Sequence, residues 1–414
     1  MSVSDFCQVG KADGISDKSE LTKLMKILIA TTNFPRWQGD FRVPFIYEAA
    51  KAIQAKGNQV RVVTMHNPGS QEYEIMEGLE VFRVRYLSED KEKLQQDAAG
   101  IPAAWERGLK SRLPLIPFFL AYTKAVGKHA AGCDIIHANW SLSGLAALLS
   151  RGRHKLPYVV TVQGSDVFKT LDKPGIRQMV GLALRKAGKV IALSCALKTA
   201  AMEFGIKDEH VVVIPNGVNI SQFPYASADE KKLQVLFVGS LIERKGPGTL
   251  LQAMRLVHQA LPEARLVMVG EGDERARLEQ TIAANEMADY VRLAGTQTQS
   301  AVAELMRESK LFVLPSIEEG QGVVLMEALA SGTPCVGTRV GGIPDVVTED
   351  VGRLVEPGDA PALAEAIRAY LTEAELWQKA STAGRQRVLE HYDWNHLADE
   401  ISAVYAEVLV EGSA

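Results

Sequence analysis

The chain has 414 residues, enough for two or three domains that each bury a core. Hydrophobic residues make up 47% and charged residues 23%, which excludes a largely disordered chain. Lys and Arg total 46 against 50 Asp and Glu, a net charge of -4 that gives no global reason to expect nucleic acid.

Residues 1–24 are polar and aperiodic, lack the apolar core of a signal peptide, and read as a disordered leader. Short runs rich in Val and Ile then predict strands at 26–30, 60–64, 134–136, 158–162, 189–193 and 211–214. Amphipathic stretches at 45–56, 142–149 and 176–187 predict helices between them. Several of these strands are apolar on both faces, as a covered parallel sheet requires. The rhythm restarts with strands at 235–238, 265–269, 291–293, 311–314 and 335–336, and helices at 249–260, 275–284, 300–308 and 323–330. Pro-Asn-Gly-Val at 215–218 and the polar stretch 225–232 read as punctuation and linker, with a hinge near 218–232. A helix over 361–371 and a last amphipathic pattern over 394–409 follow. The fold class is therefore α/β, with two doubly wound, Rossmann-like domains facing a central cleft.

The longest strongly apolar stretch, 113–122, is too short to span a bilayer, which takes about 20 residues. The four cysteines are scattered without a CxxC pair, so no structural zinc site is expected and a cytoplasmic location is the simplest reading. Gly270-Glu-Gly272 and Gly320-Gln-Gly322 lack the third glycine of a dinucleotide fingerprint. No Asp-x-Asp pair is present to clamp a metal on a diphosphate, so protein cations and amides must neutralise such a ligand.

The most informative segment runs from Leu314 to Pro334. It leaves a strand, turns on Gly320 and Gly322 and enters a helix, a place where bare backbone and first-turn amides suit a diphosphate. Glu319 precedes that helix and Glu327 lies inside it between Met326 and Ala328, where an idle carboxylate would be expensive. Both suit hydrogen bonds from sugar hydroxyls; two solvated surface charges are the bland alternative.

The spacing of Glu319 and Glu327 within Pro-Ser-x-x-Glu-Gly-x-Gly-x-x-x-x-Glu-Ala resembles the donor-site signature of retaining glycosyltransferases of family 4, which have the GT-B fold. Val238-Gly-Ser-Leu-Ile-Glu-Arg-Lys-Gly246, Gly341-Gly-Ile-Pro-Asp345 and the loop ending at Gly39 are further matches, and the likeness runs from about Met25 onward. It implies an acceptor-binding domain over 25–220, with a helix over 392–410 packing back on it, and a donor-binding domain over 221–391.

By family role, Glu327 binds ribose and Glu319 the transferred sugar. The amides of Gly322, Val323 and Val324 hold the diphosphate, with Gly39 and Gly320 also lining the donor. Lys245 neutralises developing charge. Ser240 stands where an Arg is usual, and Arg244 is the candidate substitute. On the acceptor side His137 and Asp166 match family positions, whereas Asn139 and Gln163 replace histidines and take no proton at neutral pH. The expected activity is metal-independent transfer from a nucleoside-diphosphate sugar, UDP-linked by preference and GDP-mannose as the alternative, to a glycan, lipid-linked or small-molecule acceptor. A catalytically weak binding module is the competing class. Arg107, Lys110 and Arg112 before the apolar stretch suit peripheral docking on anionic lipid at the inner membrane face, although a core helix is the preferred reading.

Overall fold

The computed structural model describes residues 24–40, 44–92, 94, 113–171 and 173–412. The leader, apart from Leu24, and the basic residues Arg107, Lys110 and Arg112 lie outside the described residues. Two compact units result, one from Met1–Pro215 with Trp394–Ala414 and one from Asn216–Asp393.

The first unit is built on strands β1 (Lys26–Ala30), β2 (Gln59–Met65), β3 (Tyr73–Met76), β4 (Leu79–Val84), β5 (Ile135–Asn139), β6 (Tyr158–Val162), β7 (Lys189–Ala192) and β8 (Val211–Val213). They form one sheet in the order β3-β4-β2-β1-β5-β6-β7-β8, parallel except for β3. Its helices are α1 (Pro44–Ala55), α2 (Leu115–His129), α3 (Ser141–His154), the single turn α4 (Ser165–Phe168), α5 (Pro174–Arg185) and α6 (Cys195–Met202). Leu28 and Ala30 face a core shared with α2, α3, α5 and α6. Ile27 and Ile29 face the opposite core, shared with α1 and with the far helix over Trp394–Glu411. Alternate residues of one strand thus serve two layers, which is why these strands read as unbroken apolar runs.

The second unit carries β9 (Lys232–Val238), β10 (Arg265–Val269), β11 (Val291–Gly295), β12 (Ser309–Leu314), β13 (Cys335–Thr338) and β14 (Gly352–Val355), in the order β11-β10-β9-β12-β13-β14. Every described pairing in it is parallel. Its helices are α7 (Pro247–Ala260), α8 (Arg275–Ala284), α9 (Gln299–Glu308), α10 (Val323–Ala330), the turn α11 (Ile343–Val346), α12 (Ala360–Thr372) and α13 (Ala374–His391). The chain then leaves for the first unit as α14 (Trp394–Glu411), whose Leu397, Ile401, Tyr405 and Val408 are buried against the face that carries α1.

One reading is corrected here. The stretch 225–232 is no free linker: Ala226 is buried and its amide donates to Ser331 O at 3.3 Å. Lys231 Nζ reaches Met306 O, Arg307 O, Ser331 O and Thr333 Oγ1 at 2.7–3.3 Å. The ammonium satisfies carbonyls at the end of α9 and just past α10, where backbone acceptors have no helical partner.

Candidate functional site

In the second unit the chain runs outward through β9, β10 and β11, then restarts at β12 on the other side of β9. That reversal leaves the loops after β9 and β12 diverging at the carboxyl edge of the sheet, the place where open α/β sheets hold ligands. The first loop carries Ser240, Arg244 and Lys245; the second carries Glu319, Gly320 and Gly322.

Backbone bonds tie the two loops together. Ile317 N donates to Arg244 O at 2.7 Å and Glu318 N at 3.3 Å. Lys245 Nζ pairs with Glu319 Oε2, and both side chains are largely buried. Glu319 Oε1 accepts the amide of Gly320 at 3.0 Å, and its carbonyl accepts Gly342 N at 3.3 Å. Gly341 permits that last contact: its φ is +53°, and a Cβ there would lie 1.7 Å from Glu319 O. Thr338 Oγ1 donates to Ser316 O at 2.5 Å, which anchors the start of the same loop.

Gly322 opens α10 at φ +84°, with Leu325 Cδ1 2.9 Å from where a Cβ would stand. No side chain caps this helix and its first turn holds no acid, so the amides of Val323 and Val324 keep their capacity for an anion. Glu327 projects from the same helix. Burial pushes its carboxyl up to about 7, and no side-chain hydrogen bond to it is formed among the described residues. A carboxyl without a partner in an apolar helix is costly, which marks it as a group awaiting a donor.

The other second-unit candidates separate. Arg244 is exposed and leans toward Glu318 Oε1 at 3.6 Å, and Ser240 is exposed without a cation in its place. Gln321 escaped the sequence reading: it is buried, accepts Asn216 N at 3.0 Å and donates to Asn216 O at 3.3 Å, fixing the start of the unit beside α10. A glutamine between two glycines gave no signal of that partner far along the chain.

In the first unit the equivalent reversal lies between β1 and β5. After β1, the turn at Gly39 (φ +85°) is held by Arg36, which binds Asp40 through Nε at 2.8 Å and Nη2 at 3.0 Å and lies 4.1 Å over the Trp37 ring. Buried Arg83 donates to Pro35 O at 2.8 Å and fixes the loop to β4. Asn139 and Gln163, at the ends of β5 and β6, hydrogen-bond to each other at 3.1 Å.

His137, read as a catalytic candidate, is corrected to a core residue. Its Nδ1 meets Tyr405 Oη and its Nε2 meets Thr161 Oγ1, both at 2.6 Å. Burial pulls it down to about 4, so it is neutral and both ring nitrogens are occupied. Asp166 is likewise a scaffold group in this structure, accepting the amides of Ser141, Gln163 and Gly164 at 2.9–3.1 Å. Burial pushes its carboxyl up while those amides oppose the shift.

Residues 44–222 match the profile of Glycosyltransferase Family 4, and residues 221–387 that of Glycosyl transferases group 1. The D-inositol 3-phosphate glycosyltransferase of Geodermatophilus obscurus is 30% identical over 336 residues, 74% of each chain. Among solved structures, sucrose-phosphate synthase from Thermosynechococcus elongatus superposes with a TM-score of 0.76 at 23% identity, covering 93% of this chain and 100% of that one. Anabaena HepE in complex with UDP-glucose gives 0.71 at 20% identity, over 92% and 98%. The architecture common to these neighbours is GT-B.

Proposed function

Because the chain belongs to glycosyltransferase family 4 and is a hexosyltransferase, we propose that it moves a sugar, with retention, from a UDP-linked donor to a glycan, lipid-linked or small-molecule acceptor without a metal. The carrying observation is the switch-point pair Lys245–Glu319, set beside a glycine-led helix that, among the described residues, has no side-chain cap and bears a carboxyl at Glu327 without a hydrogen-bond partner. In this reading Glu327 takes the ribose hydroxyls, and the amides of Gly322, Val323 and Val324 take the diphosphate, beside Gly320.

Donor binding separates the ion pair. Lys245 turns to the phosphate oxygens where negative charge grows as the nucleotide leaves, and Glu319 turns to the sugar hydroxyls. Exposed Arg244 is free to swing from half-buried Glu318 into the place that Ser240 leaves without a cation. The departing phosphate takes the acceptor's proton, so Asn139 and Gln163 need only orient the acceptor. Asp166 acts by holding the Gln163 turn. UDP suits the reading because the structural neighbour HepE was solved with UDP-glucose. A cytoplasmic location fits a nucleotide-sugar substrate, and no described helix is long and apolar enough to cross a membrane.

The test is calorimetric titration with UDP-glucose and GDP-mannose, in EDTA, followed by assay of donor hydrolysis. Binding of UDP-glucose with slow hydrolysis is expected. Preference for GDP-mannose would reassign the base, a requirement for magnesium would end the metal-free mechanism, and binding without any turnover would favour a sugar-nucleotide binding module.

A further inference from the structure

Four helices on one face of the first unit's sheet are free of carboxylates. Helices α2, α3, α5 and α6 cover the sheet face that carries Leu28 and Val63, and none contains an Asp or Glu. In a chain with more acids than bases this is a pronounced asymmetry. The opposite face differs: α14 carries Asp399, Glu400, Glu407 and Glu411 and no Lys or Arg, with Asp399 paired to Lys56 and Glu407 to Lys189.

Apolar residues protrude between the cations of α2, α3 and α5. On α2, Ile116 and Leu120 lie one turn apart and are each 65% exposed, in line with exposed Lys124 and Lys128. The neighbouring α3 exposes Leu149 beside Arg151 and Arg153. Then α5, packed against α3, exposes Met179 and Leu182 with Arg177 and Arg185. None of these cations pairs with a carboxylate among the described residues; Arg177 and Arg185 instead donate to the carbonyls of Glu203 and Phe204. Of the acids in the flanking loops, Asp134 accepts the amide of Lys26 at 2.7 Å, Asp208 pairs with Lys198 of α6 at 2.7 Å, and exposed Glu203 follows α6 directly.

We propose that this face docks the protein on a membrane surface of anionic lipid, with the apolar residues of α2, α3 and α5 entering the headgroup boundary and their cations meeting lipid phosphates. Cations alone would suit any polyanion. Protruding Ile, Leu and Met add nothing against a phosphate backbone but gain by leaving water at a lipid interface, and no acid on these helices opposes the approach. The acidic α14 on the far side points the other way, so an anionic plane orients the unit as well as attracting it. The inference does not depend on the donor or on the chemistry at Glu319 and Glu327.

Flotation of the full chain with vesicles tests it, comparing phosphatidylcholine alone with phosphatidylcholine containing about one part in four of phosphatidylglycerol. Wild type should float with the anionic vesicles only, and raising the salt from about 0.1 M to 0.5 M should release it. The double variant R151E/R153E should lower the partition coefficient at least tenfold, at about fivefold for each cation lost. I116E/L120E should lower it by a similar factor while leaving UDP-glucose affinity and melting temperature unchanged, since both side chains are exposed. No flotation, equal flotation on neutral vesicles, or variants that bind like wild type would overturn the proposal. So would light scattering that shows a dimer dissolved by L120E, which would give the face to a second copy. Binding of an oligonucleotide as tight as vesicle binding, and indifferent to I116E/L120E, would give it to nucleic acid and overturn the proposal equally.

Discussion

Glu327 sits in an apolar helix with its carboxyl raised to about 7, so near neutrality the free protein holds it half protonated. A carboxylate that accepts ribose hydroxyls must be ionised, and binding then displaces the proton. Affinity for UDP-glucose should therefore weaken about tenfold from pH 8 to pH 6, because most Glu327 is protonated at the lower value. Isothermal titration at the two pH values reads this, and Glu327→Gln should flatten the dependence. The same shift has a sign for stability. A carboxyl whose folded value lies above its unfolded one favours folding at low pH and loses that advantage as the pH rises toward 7. Glu327→Gln should thus raise the melting temperature at pH 8 and leave it unchanged at pH 4. Glu327→Ala should cost about 1.5–3 kcal/mol of donor affinity, roughly ten- to a hundredfold. Lys245→Ala should cut turnover by about a hundredfold, with Lys245→Arg only partly tolerated because the guanidinium presents a different donor geometry. Normal kcat in Lys245→Ala would detach the residue from the chemistry.

At the scale of elements, the loop that carries Glu319 is shaped from outside itself. Gly341 lets Glu319 O approach Gly342 N, and Gly341→Ala would force apart backbone that is now in contact. Turnover should fall more than affinity for UDP in that variant, since Glu319 moves while Glu327 stays on α10; equal losses in kcat and Kd would contradict this. Lys231→Met should destabilise the second unit by about 2–4 kcal/mol, because carbonyls in the last turn of α9 and just past α10 lose their donor. Chemical denaturation measures it. These two residues also mark what the sequence withheld. Glu319, Gly322 and Glu327 were legible because their chemistry is local, an acid and a glycine beside a helix start. Lys231 was not, because a lysine in a polar run reads as solvated unless its distant acceptors are known. The hairpin β3–β4 was missed for a related reason: its strands are short, one at the sheet edge, and Glu77-Gly78 reverses the chain with φ values of +47° and +88° and no Asn-Gly or Asp-Gly signature. His137 misled because a strand-end histidine carries no mark of the Tyr405 hydroxyl that occupies it from 268 residues away.

The whole molecule is two sheets, parallel-stranded but for β3, joined by a chain that passes from one unit to the other twice, once at Pro215 and again at Trp394. That plan was readable from the repeated rhythm of apolar runs, because a sheet covered on both faces writes its burial into every strand. The return of α14 makes the first unit discontinuous. Tyr405 is fully buried there and holds His137, so Tyr405→Ala should destabilise that unit by about 3–5 kcal/mol. Donor affinity should persist at temperatures where the variant's first unit has already unfolded, since Glu327 and Lys245 belong to the other one. Loss of donor affinity together with the first unit's near-ultraviolet signal would refute that separation.

The same return sets an order of birth. On the ribosome, residues 26–213 supply every strand of the first sheet, yet the part of its second face that α14 covers, beyond α1, stays bare until the last helix is synthesised. The second unit, continuous from Asn216–Asp393, can close as soon as it leaves the exit tunnel. At about 5–20 residues per second, the apolar side chains of Val159 and Ile191 wait on the order of ten to forty seconds for their cover. The unit whose strands are made first is therefore completed last, and through that interval it is the natural client of a chaperone.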